Sequence, residues 1–218
     1  SRAVLGDPLV RTRLGALDIH SYCLHMPIPF FNNRMSFLKR FAKWMSKNYP
    51  DVPVNMSEWT HMQGGRDKGM DSALVTANVM YEDLSVLNVI SWQHWIAVSE
   101  VNYCDGLIYI NLDDKTFEMT KRYYVTGNFS KYVPAGSVRV DAACDDPELR
   151  LLAFKYDGGC AVIVINSTEK EKELSLPEQY SAVKSAVTDD NNDLREYDIA
   201  DPGHIKITPR SVTTIILR

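Results

Sequence analysis

Val52-Pro53-Val54-Asn55-Met56-Ser57-Glu58-Trp59 is the stretch on which the reading of this chain turns. A strand-like apolar run, Val52 to Met56, ends in a carboxylate and an indole and lies between two segments of helical period. Upstream, Met35, Phe37, Leu38, Phe41, Trp44 and Met45 recur at three- and four-residue spacing, which predicts a helix over 35–48 with one buried face, stopped before Pro50. Downstream, a polar, glycine-bearing loop from His61 to Gly69 leads to Asp71. That residue is expected to cap a second helix running to about Leu84, with Ala73, Leu74, Ala77, Val79, Met80 and Leu84 apolar. Val86 to Trp92 predicts the next strand, and Leu14 to His20 an earlier one. Strands that alternate with helices imply β-α-β units with parallel strands.

From about Pro134 the texture changes. Short alternating strands are predicted at Ser137–Asp141, Leu149–Tyr156, Cys160–Asn166, Glu171–Leu176, Ala182–Thr188, His204–Thr208 and Ser211–Leu217. They are separated by turn signals such as Asp157-Gly158-Gly159 and Asp201-Pro202-Gly203. The expected organisation is therefore an α/β module over residues 1–133 followed by an all-β module over 134–218 that reads as a β-sandwich, joined near Val133–Gly136.

Composition narrows the function. The 218 residues are 45% hydrophobic, as a packed globular core requires, and 24 basic residues against 28 acidic ones give a net charge of -4. No basic field exists to attract nucleic acid or an anionic membrane, and no run approaches the ~20 apolar residues of a membrane span. Cys23, Cys104, Cys144 and Cys160 lack C-x-x-C spacing, which argues against structural zinc and for free, half-buried thiols. The sequons at Asn55, Asn128 and Asn166 read as chance matches, the first because it falls inside a core strand.

In parallel α/β sheets, ligands bind beyond the carboxyl ends of the strands. The residues expected there are His20, Ser21 and Tyr22 after the first strand, Glu58 and Trp59 after the second, and Trp92, Gln93, His94 and Trp95 after the third. One carboxylate among aromatic rings, imidazoles and a phenol suits a sugar: rings pack on the apolar face of a pyranose, and the carboxylate can attack or stabilise an anomeric centre. Each residue also has a structural reading. Glu58 can cap a helix or pair with an arginine, Trp92 and Trp95 can be core, and His20 can be a satisfied buried histidine. Taken together they resist it, because core residues have no reason to gather at one end of every strand. Other chemistries lack their parts. There is no G-x-S-x-G elbow, no G-x-G-x-x-G and no P-loop, and neither His20 with His25 nor His61 with His94 has ligand spacing with a carboxylate. No cofactor and no metal are expected.

Ordered along the chain, His20-Ser21-Tyr22, Met56-Ser57-Glu58-Trp59, Trp92-Gln93-His94-Trp95 and the long stretch from Tyr123 through Phe129-Ser130-Lys131 to Ser137-Val138-Arg139-Val140 resemble the C-terminal half of glycoside hydrolase family 30. That family includes glucosylceramidases, endo-xylanases and endo-β-1,6-glucanases or galactanases. The resemblance runs from about Leu17 to Arg218. It implies the C-terminal part, strands six to eight, of a (β/α)8 TIM barrel followed by a side β-sandwich, and a retaining mechanism without a cofactor. It further implies that Glu58 is the nucleophile, that Tyr22 hydrogen-bonds it, that His20 lines the sugar subsite, and that Trp95 is the platform beneath the sugar, with Trp59 and Trp92 as wall residues. The family's acid/base glutamate follows an asparagine at the end of the fourth strand, and no Asn-Glu pair occurs here. The expectation is a portion of an enzyme whose partners are a carbohydrate and the N-terminal half of the barrel, exported or periplasmic as family members commonly are. The alternative is a carbohydrate-binding or structural fragment without turnover.

Overall fold

Alternating strand and helix periods in the first part of the chain produce the parallel sheet they predict. The computed structural model describes residues 2–22 and 34–218; Cys23 and His25 lie outside them. Two short helices, α1 (Arg2–Gly6) and α2 (Pro8–Arg11), precede β1 (Leu17–His20). α3 (Arg34–Asn48), β2 (Val54–Trp59), α4 (Met70–Glu82) and β3 (Ser91–His94) follow. The strands lie in the order β1-β2-β3 and all pairings are parallel, with Ile19 opposite Met56 and Met56 opposite Trp92. Register shifts fall between Ile19 and His20 and between Met56 and Trp59. Irregularities of this kind re-aim side chains at strand ends, and both sit at the carboxyl edge of the sheet.

Three local expectations change. On α3 only Leu38 and Met45 are buried, seven positions apart on one stripe. Phe37 and Phe41 instead stack, with centroids 6.4 Å apart, and Trp44 packs tilted against Phe41 at 6.0 Å along the half-exposed flank. The cap of α4 is Asp67, not Asp71: its carboxylate accepts from the backbone N–H groups of Gly69 and Ser72 at 2.8 and 2.9 Å, while Asp71 pairs with Arg210 at 2.6 Å. Finally, the helix does not end at Leu84. Asp83–Leu87 forms a π-helical turn closed by Asn88 in the left-handed region at φ 52°, so the strand begins at Ser91 rather than Val86. Asp83, in phase with Val79 and Met80 of α4, and Leu87 are the buried residues of that turn.

Ser1–Thr60 with Glu82–Trp95 forms one compact unit, and His61–Tyr81 with Ile96–Arg218 forms another. The second unit holds a small sheet, β4 (Val98–Ser99), β5 (Ile108–Asn111) and β6 (Thr116–Met119), then α5 (Lys121–Ser130). It continues with β7 (Val138–Val140), β8 (Leu149–Tyr156), β9 (Gly159–Asn166), β10 (Lys172–Leu174), β11 (Ala182–Thr188), β12 (Arg195–Asp198), β13 (Ile205–Ile207) and β14 (Ser211–Leu217). Six of these make an antiparallel sheet in the order β12-β11-β14-β9-β8-β7, and β10 pairs with β13.

β9 reads Gly-Cys-Ala-Val-Ile-Val-Ile-Asn, without the polar alternation of a half-exposed strand, because both its faces are covered. Val162 and Val164 pack with Leu149, Ile215 and Leu217 under the β10–β13 ribbon, which contributes Leu174, Ile205 and Ile207. On the other face Ala161 and Ala186 meet Tyr132, just beyond α5. Asn128 fastens α5 there: its amide donates to the Ala186 carbonyl at 2.9 Å and to Thr214 Oγ1 at 3.1 Å, and Thr188 donates to its Oδ1 at 2.6 Å. Each buried Ile or Val contributes roughly 1.5–3 kcal/mol by leaving water. Asn128 and Asn166 are fully buried, so neither sequon can carry a glycan in the folded chain. Cys104, Cys144 and Cys160 are free thiols, and no helix of the described residues is long and apolar enough to cross a membrane.

Candidate active site

Glu58 stands one residue before the end of the central parallel strand, within β2 rather than after it, and its side chain is 27% exposed. The pairing of β1 with β2 sets His20 opposite Glu58. Two residues on, at the turn that leaves β1, Tyr22 Oη donates to Glu58 Oε1 at 3.2 Å. His20 Nδ1 lies 3.7 Å from the same oxygen, an ion pair when the imidazole is protonated. The His20 and Tyr22 rings meet edge to face, with centroids 6.1 Å apart. His20 is 54% exposed and is therefore not the buried histidine of its structural reading. A phenol that donates to a carboxylate oxygen fixes its orientation. One oxygen, Oε1, thus receives both neighbours.

The aromatic residues divide by exposure. Trp59 is buried, 6% exposed, and its ring packs against that of Trp92 at 6.1 Å between centroids. Trp92 and His94 lie inside β3, not beyond it, and their rings are nearly parallel at 6.2 Å. Trp95 follows the strand, tied by its backbone N–H to the Trp59 carbonyl at 2.8 Å, with an indole 51% exposed. Trp95 is thus the ring available as a flat apolar surface, while Trp59 and Trp92 form the packed floor of the same sheet end.

Beneath these residues lies a charged group that the sequence pattern did not disclose. Asp83 is fully buried; Ser21 Oγ donates to its Oδ2 at 2.9 Å and the Trp92 indole N–H donates to the same oxygen at 3.0 Å. Arg34 pairs with Asp83 Oδ1, with Glu82 Oε2 at 2.7 Å, and with the Ser21 carbonyl at 2.5 Å. Burial raises the Asp83 carboxyl above its ordinary range, against the opposing pull of Arg34 and of the Trp92 and Ser21 donors. The one signal in the sequence is the acidic pair Glu82-Asp83 directly after an apolar helix. Among the described residues no group of three His, Cys, Asp or Glu side chains is placed to hold a metal ion.

The sequence pattern of O-glycosyl hydrolase family 30 matches residues 43–109, the span that contains β2, α4 and β3. Lysosomal acid glucosylceramidase of Mus musculus is 27% identical over 196 residues, 81% of this chain and 35% of that protein. Among solved structures, a conserved exported protein from Bacteroides fragilis superposes with a TM-score of 0.78 at 19% identity, over 93% of this chain and 46% of its own. A family 30 subfamily 8 xylanase from Clostridium acetobutylicum gives 0.73 at 19% identity, over all of this chain and 52% of its own. The chain thus spans about half the length of these solved chains and about a third of the curated relative. The relationship is to glycoside hydrolases, and the fold combines α/β and sheet elements as theirs does. Within that class, the resemblance to family 30 implied by the motifs is borne out.

Proposed function

We propose that this chain is the C-terminal portion of a retaining β-glycoside hydrolase acting on a polysaccharide or glycoside, with Glu58 as its nucleophile. The reading assigns residues 1–133 to strands six to eight of a (β/α)8 barrel with their helices, and 134–218 to a β-sandwich side domain. It is carried by one observation: Glu58, at the carboxyl end of the central parallel strand, has Tyr22 and His20 converging on Oε1. That leaves Oε2 to attack the anomeric carbon. A retaining enzyme forms a glycosyl ester with one carboxylate while a second, protonated carboxyl about 5–5.5 Å away protonates the departing oxygen, then returns as base to activate water. The second group is the acid/base glutamate, supplied by a part of the enzyme beyond this chain.

The remaining residues have roles in binding. Trp95 presents its exposed indole to the apolar face of a pyranose. His20 borders the subsite, and Trp59 with Trp92 shapes its wall. The exported structural neighbour supports an extracellular or periplasmic location. The partners proposed are the carbohydrate and the N-terminal half of the barrel. The test is Glu58→Gln in the full-length enzyme, with the anomer of the first-formed product followed by NMR. The wild type is expected to release product with retained configuration. The variant should lose several orders of magnitude in kcat, because nothing replaces a missing nucleophile. Inverted product, or a variant with appreciable turnover, would overturn the assignment.

The exposure of Trp95 also favours a second reading, a carbohydrate-binding module without turnover. Saturable oligosaccharide binding that weakens in Trp95→Ala, with no hydrolysis by the full-length protein, would select it.

A further inference from the structure

The buried cluster around Asp83 reaches two of the three strands that form the site. Ser21 stands between His20 and Tyr22, the two residues that approach Glu58, and Trp92 belongs to β3 on the opposite side of β2. Both donate to one oxygen of one carboxylate, which enters from the π-helical turn. Arg34, from the start of α3, closes the arrangement by holding the Ser21 carbonyl as well as Asp83. The backbone and the side chain of Ser21 are thus fixed at once, leaving the neighbouring Tyr22 little freedom to leave Glu58.

A buried ion pair rarely adds net stability, since desolvation of both charges offsets their attraction. Here burial is the largest influence on the Asp83 carboxyl and disfavours its charged form. A group of this kind supplies geometry: a carboxylate with two donors on one oxygen defines the positions of both.

We propose that Asp83 is a positioning residue of the glycosidase site, holding the Ser21-Tyr22 step after β1 and the Trp92 indole of β3 on a single carboxylate, with Arg34 as its counter-ion. The inference rests on the reading of Glu58 as nucleophile. Asp83 touches no substrate. It acts through Tyr22 and Trp92.

The test pairs kinetics with a spectroscopic readout. In the full-length enzyme, Asp83→Asn is expected to lower kcat about 10- to 100-fold, the loss that follows from a displacement of roughly 1 Å at the reacting groups. KM should stay within about twofold, because the interaction serves the transition state more than the bound substrate. In the Tyr22→Phe background the same change should cost clearly less than in the wild type, since one of the two groups it positions is already gone. In 15N-labelled protein the Trp92 indole N–H resonance, assigned with Trp92→Phe, should move and lose protection from exchange. Ser21→Ala, which keeps the buried charges paired, guards against a folding defect; it is expected to lower kcat and to be non-additive with Tyr22→Phe, with the Trp92 signal in place. Unchanged kcat in both variants, losses that multiply in the Tyr22→Phe background, or a Trp92 resonance that ignores Asp83→Asn would overturn the inference. Those results in an enzyme that does require Glu58 leave the proposed function standing, whereas an active Glu58→Gln variant removes the function itself.

Discussion

Asn128→Ala tests what holds α5 to the antiparallel sheet. The side chain is fully buried and makes three hydrogen bonds, to the Ala186 carbonyl, to Thr214 Oγ1 and from Thr188 Oγ1. Truncation removes all three, each worth about 1 kcal/mol net, and leaves buried polar partners that cost about 1–3 kcal/mol apiece where they find no substitute. The two threonine hydroxyls can rotate, and the Ala186 carbonyl cannot. The expected loss is therefore about 3–5 kcal/mol. At about 2–4 °C per kcal/mol for a chain of this size, the sheet transition followed by far-UV circular dichroism should fall by about 6–20 °C. Asn128→Asp separates bonding from shape. It keeps the acceptor for Thr188 but sets a carboxylate oxygen against the Ala186 carbonyl, so burial should raise its pKa in the folded state. Its stability is then greatest below the ordinary carboxylate pKa and declines as pH rises, the opposite of a salt-bridged Asp. If Asn128→Ala lowers stability by less than about 1 kcal/mol, or Asn128→Asp is insensitive to pH, the network does not hold the helix and the reasoning fails.

Other consequences are open to direct measurement. Ile215→Ala, at a fully buried position packed under the β10–β13 ribbon, should cost about 3 kcal/mol in urea unfolding, with little change if the pocket collapses completely. Gly159→Ala would bring a Cβ within 2.7 Å of the Leu217 carbonyl, so it should destabilise the β9–β14 pair by about 1–3 kcal/mol; a neutral result would mean the strands part easily there. Glu196, bonded by Lys131, Tyr132 and Lys184, has its carboxyl lowered from 4.5 to about 2. A lowered folded pKa gives stability that is present above about pH 4.5 and lost as pH falls towards about 2, so acid titration of wild type and Glu196→Gln should diverge at neutral pH and converge in that window.

Much of this architecture is visible in the sequence where burial imposes a period. Leu149–Tyr156, Ala182–Thr188 and Ser211–Leu217 run where their patterns place them, because each has a core face that punishes a shift of one residue. The strands that escape notice are β4, β5, β6 and β12, all four residues or fewer; β6 and β12 are exposed throughout, so no apolar alternation marks them. Asp71 looks like a cap because it precedes an apolar helix, yet Asp67 reaches the free N–H groups from the loop. The arrangement of the candidate site was legible in part. Residues at strand ends could be named from the α/β pattern, but exposed Trp95 and buried Trp59 differ only through packing. The burial of Asp83 follows the period of α4, three and four residues after Met80 and Val79, but its convergence with Arg34, Ser21 and Trp92 was illegible because tertiary packing alone brings them together.

The four tryptophans, Trp44, Trp59, Trp92 and Trp95, all fall in the compact unit that contains Glu58. Intrinsic fluorescence excited at the red edge is therefore a private signal of that unit, silent about the six-stranded sheet. Quenching by acrylamide would fall chiefly on Trp95, and any sugar that settles on its indole would shield it. A binding titration then needs no label, and the same signal set beside far-UV circular dichroism reports whether the parallel strands loosen before the sheet does.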